Sequence, residues 1–193
     1  SEQDCLPPRH ASGRPTWRAE CGQRQATADT AMTVVIQRPA LLYGAGAKGN
    51  LELLAKAVRL GLPRPPDPGG RSMIAREDLV TLLLWVADHP PPGIHTWIAC
   101  DGRRYSSRYI HDLLRRSAGR RIGTAWLPAW GWRFAAGLLD RLRSRPGEST
   151  WDKLFGTELY SNRAVLAATG WRPAHTLEAS LDRQAGPSGQ CQP

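Results

Sequence analysis

An α/β fold built on parallel strands is what this sequence predicts, on three observations. Short β-branched or apolar runs, Thr33-Val34-Val35-Ile36 first among them, alternate with stretches whose apolar residues recur at helical spacing. The strand-like runs are continuous rather than alternating, which suits strands covered on both faces by helices. The helical stretches are bounded by glycine, proline or a small polar residue, the usual start and stop signals. A chain of 193 residues is near the size of one domain, so one core is expected.

Residues 1–30 are polar, rich in Pro, Arg and Gln, and support no more than a weak helix from Trp17 to Gln25. The β-branched run at Thr33–Ile36 is the first strand. After the glycine-rich turn Tyr43–Gly49, Asn50 is placed to cap a helix with Leu51, Leu54, Ala55 and Val58 on one face and Gly61 at its end. Pro63, Pro65, Pro66 and Pro68 exclude regular structure from residues 62–70. A short strand, Arg71–Ala75, runs into a helix that opens with Glu77 and Asp78 and is expected to bury Leu79, Leu82, Leu83 and Val86 before His89-Pro90 stops it.

His95–Cys100 reads as a strand and Asp101-Gly102 as a turn. Ser106 reads as the cap of a helix carrying Ile110, Leu113 and Leu114 and closed by Gly119. A further strand is expected from Ile122 to Leu127, then an amphipathic helix burying Phe134, Leu138, Leu139 and Leu142. A last short helix, Arg163–Thr169, ends at Gly170, and the chain is expected to fray after Leu181.

The formal charge of +9 raises the question of nucleic acid, since clustered cations neutralise phosphates. The three lysines and 23 arginines are scattered from Arg9 to Arg183 without a long basic block, so no nucleic-acid partner is expected. Cys5, Cys21, Cys100 and Cys191 form no C-x-x-C and no disulfide framework, and the five histidines have no metal-ligand spacing. No apolar run approaches the roughly 20 residues that span a bilayer, so no membrane is expected and a cytoplasmic location fits best.

Gly44-Ala45-Gly46-Ala47-Lys48-Gly49 matches G-x-G-x-x-G, in which glycines let the backbone approach a pyrophosphate at a helix N-terminus. The full fingerprint needs a second parallel strand ending in an acid. Here a proline-rich loop around Asp67 follows, which favours a simple turn and capped helix.

A larger set of residues carries a resemblance. The order is Arg38-Pro39-x-x-x-Tyr43-Gly44-x-Gly46, Gly49-Asn50-Leu51, Gly61-Leu62-Pro63, Arg71-Ser72 and Asp78-Leu79-Val80; Asp101-Gly102 and Gly170-Trp171-Arg172-Pro173 come later. It resembles the extended short-chain dehydrogenases of the NAD-dependent epimerase/dehydratase family, most closely the UDP-glucose 4-epimerase-like proteins, from about Pro7 to Leu181. The resemblance implies the C-terminal part of a Rossmann-like parallel sheet plus a small substrate-binding α/β subdomain over residues 31–182. Residues 1–30 would then be a degraded remnant of the catalytic helix region and 183–193 a flexible tail.

The resemblance also implies roles. Pro39, Leu41 and Leu42 would line the nicotinamide end of NAD(P), partly through backbone groups. Asn50 and Leu51 would meet the diphosphate and sugar of a UDP-sugar, Pro63 and Pro65 the uracil, and Arg71 the phosphates. The bland alternatives are that Asn50 only caps its helix, although a capped N-terminus is itself an anion site, and that Arg71 is a surface charge. An arginine opening a strand after such a loop suits bidentate oxyanion binding. Tyr43 and Trp171 are expected to be core.

The departures concern catalysis. The family's Tyr-x-x-x-Lys pair does the proton chemistry, the lysine lowering the tyrosine pKa. Gly13-Arg14-x-x-Trp17-Arg18-Ala19-Glu20 aligns with that segment and puts Ser12 at the tyrosine and Thr16 at the lysine. Serine has no phenol to ionise and threonine no cation, so no catalytic residue is retained and negligible turnover is expected. The family's glycine fingerprint would lie before Ser1, as the missing initiator methionine also suggests. The expected function is an incomplete UDP-sugar epimerase/dehydratase; the alternatives are a non-enzymatic UDP-sugar binder or a 4-keto-sugar nucleotide reductase. A sheet lacking its first strands would expose an edge and favour a homodimer or pairing with another chain.

Overall fold

The computed structural model describes residues 14–27, 30, 32–44, 50–143 and 149–185. Within them, parallel strand pairs and helices alternate as the α/β reading requires. The helix α1 (Arg14–Thr27) is longer than the weak helix expected and has no buried residue. It is held to the strand β1 (Val34–Pro39) by an ion pair in which the Arg38 guanidinium donates to both Glu20 carboxylate oxygens.

Three parallel ladders form. β1 pairs with β5 (Ile94–Ala99) in the register Val34 to Ile94 through Pro39 to Ala99. β2 (Leu41–Tyr43) pairs with β4 (Met73–Ala75), and β3 (Gly70–Arg71) with β6 (Thr157–Glu158). The strand expected over Arg71–Ala75 is therefore two strands on different partners. Ser72 marks the change: its N–H donates to Glu158 O at 2.8 Å and its Oγ accepts from Tyr160 N at 2.9 Å. The first strand is less covered than its composition predicts. In β1 Ile36 alone is buried, because among the described residues β1 has one neighbouring strand, β5, and α1 buries no residue on it.

Between β2 and β3, helix α2 (Asn50–Arg59) ends as expected at Gly61, where Leu62 N–H reaches back to Ala57 O and Gly61 N–H to Val58 O. The prolines keep the following loop irregular, but it is not loose. At its far end Gly69 has φ +73°, and a Cβ there would lie 2.1 Å from Phe155 O, so glycine is required.

Helix α3 (Arg76–Asp88) buries Leu82 fully and packs Leu79 and Val86 on the core. Leu83, expected inside, is 46% exposed, because one residue past Leu82 is about 100° further round the helix. In helix α4 (Ser107–Ser117) the cap is as read: Ser106 Oγ accepts from Tyr109 N at 3.1 Å, and Ile110, Leu113 and Leu114 are buried.

Two expectations fail after α4. Residues 122–127 form no strand, and among the described residues no strand pairs with them; Ile122 and Trp126 face outward, and Arg121 O is held by the Arg115 guanidinium. Helix α5 (Ala129–Arg143) buries Trp132 and Ala136, not Phe134, Leu138 and Leu139, while the Leu142 side chain lies outside the described residues. Trp132 meets Phe155 of α6 (Thr150–Phe155) edge to face, at 5.9 Å between ring centroids.

Helix α7 (Arg163–Thr169) ends at Gly170 in the left-handed conformation, φ +66°, as read. Helix α8 (Leu177–Ala185) was not anticipated: it runs four residues beyond Leu181, where fraying was expected, and buries Leu177 and Leu181. The first core cluster joins Tyr43, Val58, Met73 and Tyr105 to Ile110, Leu113, Leu114, Leu177 and Leu181. A second joins Ile74, Leu82, Trp97, Ala99 and Val165, with Trp171 against it.

Candidate functional site

In an open parallel α/β sheet, ligands gather beyond the carboxyl ends of the strands. Pro39 closes β1 there and is exposed; Leu42, in β2, is 37% exposed. Leu41 is turned the other way and packs against the first core cluster, as does Leu51. Helix α2 begins at Asn50, whose side chain lies outside the described residues, as do Ser12 and residues 45–49 of the glycine-rich turn. Thr16 is exposed on α1.

The loop carrying Pro63 and Pro65 is fastened along α4. Arg64 donates through Nε and Nη2 to the Asp112 carboxylate, the buried His111 ring meets Leu62 O at 3.1 Å, and Arg108 Nε donates to Pro65 O at 3.1 Å. Further on, the Arg104 guanidinium donates to Gly69 O. Pro65 is buried and Pro63 half-buried. Burial pushes the Asp112 carboxyl up, but hydrogen bonds from Arg64 and His111 outweigh it and hold the group below its usual range. His111 is thus a bonded core histidine.

The loop delivers the chain into β3 at Arg71. Arg71 and Tyr105 exchange backbone hydrogen bonds, each 2.9 Å, which ties β3 to the residue that also anchors the first core cluster. The Arg71 side chain is 15% exposed; Nη2 donates to Asp152 O at 3.1 Å and Nη1 lies 3.9 Å from Glu158 Oε2. Its Nε is buried and makes no hydrogen bond among the described residues. A guanidinium usually satisfies its fork in full when withdrawn from water, so this unmet donor sets Arg71 apart.

Beneath this region lies a polar cluster that sequence reasoning missed. Tyr43 and Tyr105, both core as expected for Tyr43, direct their hydroxyls at Asp101 Oδ2, and Tyr43 also donates to His175 O at 3.0 Å. Asp101 Oδ1 accepts from Arg103 N at 2.9 Å, which makes the predicted turn an Asx turn. Asp78, fully buried at the start of α3, accepts from Ala174 N and His175 N, and its Oδ1 lies 2.6 Å from His175 Nδ1. The spacing of 97 residues between Asp78 and His175 left no local signal.

Electrostatically the cluster opposes ionisation. Burial and the neighbouring Asp101 charge raise the Tyr43 and Tyr105 phenols well above the ordinary tyrosine range, and burial raises Asp101 in turn. Burial raises Tyr160 as well. None of these three phenols is prepared as a phenolate base. Among the described residues no group of His, Cys, Asp and Glu has the arrangement of a metal site.

Comparison with known proteins agrees with this architecture. No family model matches the chain. In sequence it is 27% identical over 163 residues to UDP-glucose 4-epimerase of Vibrio cholerae, covering 81% of this chain and 47% of that protein. The chain therefore spans about half the length of the curated relative it matches.

In structure it is similar to UDP-glucose 4-epimerase of Thermotoga maritima with UDP-glucose: TM-score 0.61, 15% identity, 90% of this chain and 51% of that one. It is also similar to dTDP-glucose 4,6-dehydratase of Bacillus anthracis with NAD: TM-score 0.65, 12% identity, 96% of this chain and 54% of that one. The structural likenesses carry the Rossmann-like fold, and the sequence match carries the kinship. In sequence this chain is similar to a UDP-glucose 4-epimerase, and its fold is similar to that of solved nucleotide-sugar epimerases and dehydratases.

Proposed function

We propose that this chain is the substrate-holding part of a nucleotide-sugar epimerase or dehydratase and that it binds a UDP-sugar without turning it over by itself. The observation that carries the reading is Arg71. A guanidinium in β3, after the fastened loop of Pro63 and Pro65, donates through Nη2 to Asp152 O, has its nearest carboxylate at 3.9 Å, and keeps a buried Nε with no partner among the described residues. Phosphate oxygens are the acceptors that such a fork fits best. Asn50, opening α2, adds the positive end of a helix dipole, and Leu51 fixes that helix to the core.

NAD(P) fits the same frame. Pro39 and the exposed Leu42 offer apolar surface beyond the carboxyl ends of β1 and β2, while Leu41, turned inward, contributes through its backbone. When bound, the dinucleotide supplies the hydride acceptor that sugar epimerisation and dehydration need.

Two observations favour binding over catalysis. The resemblance implies that the catalytic pair falls on Ser12 and Thr16, and the phenols of Tyr43 and Tyr105 are pushed up rather than down. Titration calorimetry tests the reading: UDP should bind the chain, and Arg71→Ala should weaken binding about tenfold or more, equivalent to about 1.4 kcal/mol. Absence of UDP binding by the unsubstituted chain would overturn it.

A further inference from the structure

The outer face of α5 carries an apolar stripe that the proposed site does not use. Trp130 and Phe134 are each 73% exposed and Leu138 is 49% exposed; Trp126, on the segment leading into the helix, is 71% exposed. On α5 the spacing of four places Trp130, Phe134 and Leu138 on one side of the helix. Trp132 and Ala136 lie on the opposite side, where Trp132 meets Phe155 of α6. Contiguous large apolar groups in water mark an interaction surface.

The charge of the segment that carries the stripe narrows the choice of partner. Residues 115–143 contain seven arginines and one acid, Asp140, whose carboxylate accepts from Thr150 N at 3.0 Å. Arg116, Arg120, Arg121 and Arg133 are exposed, Arg133 with its guanidinium 5.0 Å from the Trp151 ring centroid. A second copy of this chain would set arginine against arginine. A neutral apolar partner would leave the cations without counter-charge. An anionic lipid surface answers both features: tryptophan settles at headgroup depth, aliphatic and phenyl groups reach the acyl boundary, and arginines meet phosphates while their stems lie along the apolar layer.

We infer that α5 and the segment before it dock this protein on an anionic membrane surface, with Trp126, Trp130, Phe134 and Leu138 in the headgroup layer. The association is peripheral, since no described helix is long and apolar enough to cross a membrane.

Sedimentation of the full 193-residue chain with vesicles tests it, comparing phosphatidylcholine alone with a phosphatidylcholine–phosphatidylserine mixture. Binding should require phosphatidylserine and fall with added salt. The double substitution Trp130→Ala, Phe134→Ala alters exposed side chains, so circular dichroism should be unchanged while partitioning drops on the order of tenfold. Arg120→Gln with Arg121→Gln should weaken binding several-fold at low salt. Four results would overturn the inference. They are no phosphatidylserine-dependent binding, equal binding by the aromatic double variant, a dimer in solution that this variant dissolves, and tighter binding to duplex or single-stranded DNA than to the vesicles.

Discussion

Helices α4 and α5 have similar apolar patterns and opposite fates. In α4, Ile110, Leu113 and Leu114 are 6%, 9% and 7% exposed; in α5, Phe134, Leu138 and Leu139 are 73%, 49% and 43% exposed. The difference lies in their neighbours. Helix α4 is flanked by α2 and α8, whose own apolar faces close over it, whereas α5 rests on α6, where Trp132 meets Phe155. An apolar face with helical spacing therefore states that a surface seeks cover, not that the same chain supplies it.

The comparison can be broken first where the core is most tightly tied. Asp78→Ala removes the acceptor of two backbone N–H groups and the partner of His175, leaving them unpaired beside a buried site. We expect a cost of about 3–5 kcal/mol, seen as a fall of roughly 10 °C in Tm. A change of a degree or two would mean that the α3 to α8 connection is not held by this carboxylate.

A matched pair of leucines tests the helices directly. Leu114→Ala in α4 should cost about 2–4 kcal/mol in urea unfolding, and Leu138→Ala in α5 less than about 0.5 kcal/mol. Equal costs would show that the outer face of α5 is covered in solution.

A smaller effect than that of Leu114→Ala is expected at the Arg64–Asp112 pair. Arg64→Ala should cost about 1–2 kcal/mol near neutral pH. Because the Asp112 carboxyl is held below its ordinary range in the folded protein, its contribution is complete above that range and is lost as pH falls below about 4. The difference in stability between the parent and Arg64→Ala should thus shrink in acid; a difference independent of pH down to about 3 would exclude the pairing.

Much of the site's frame was legible in local patterns. The Ser106 cap, the helix ends at Gly61 and Gly170, the proline-rich loop and the position of Arg71 after it all follow from residues within a few positions of one another. The polar cluster was not legible, for Asp101 and Asp78 read locally as a turn residue and a helix-start acid. Their partners, Tyr43 and His175, lie 58 and 97 residues away.

By itself, then, the sequence determined the α/β class and most helix boundaries, because capping, turn chemistry and periodicity act over one or two turns of chain. Only the tertiary structure decided that Arg71–Ala75 divides between two ladders, that residues 122–127 find no strand to pair with, and which side of α5 is buried. Those outcomes depend on hydrogen-bond partners and apolar surfaces contributed from distant parts of the chain, and no local pattern encodes which distant group arrives.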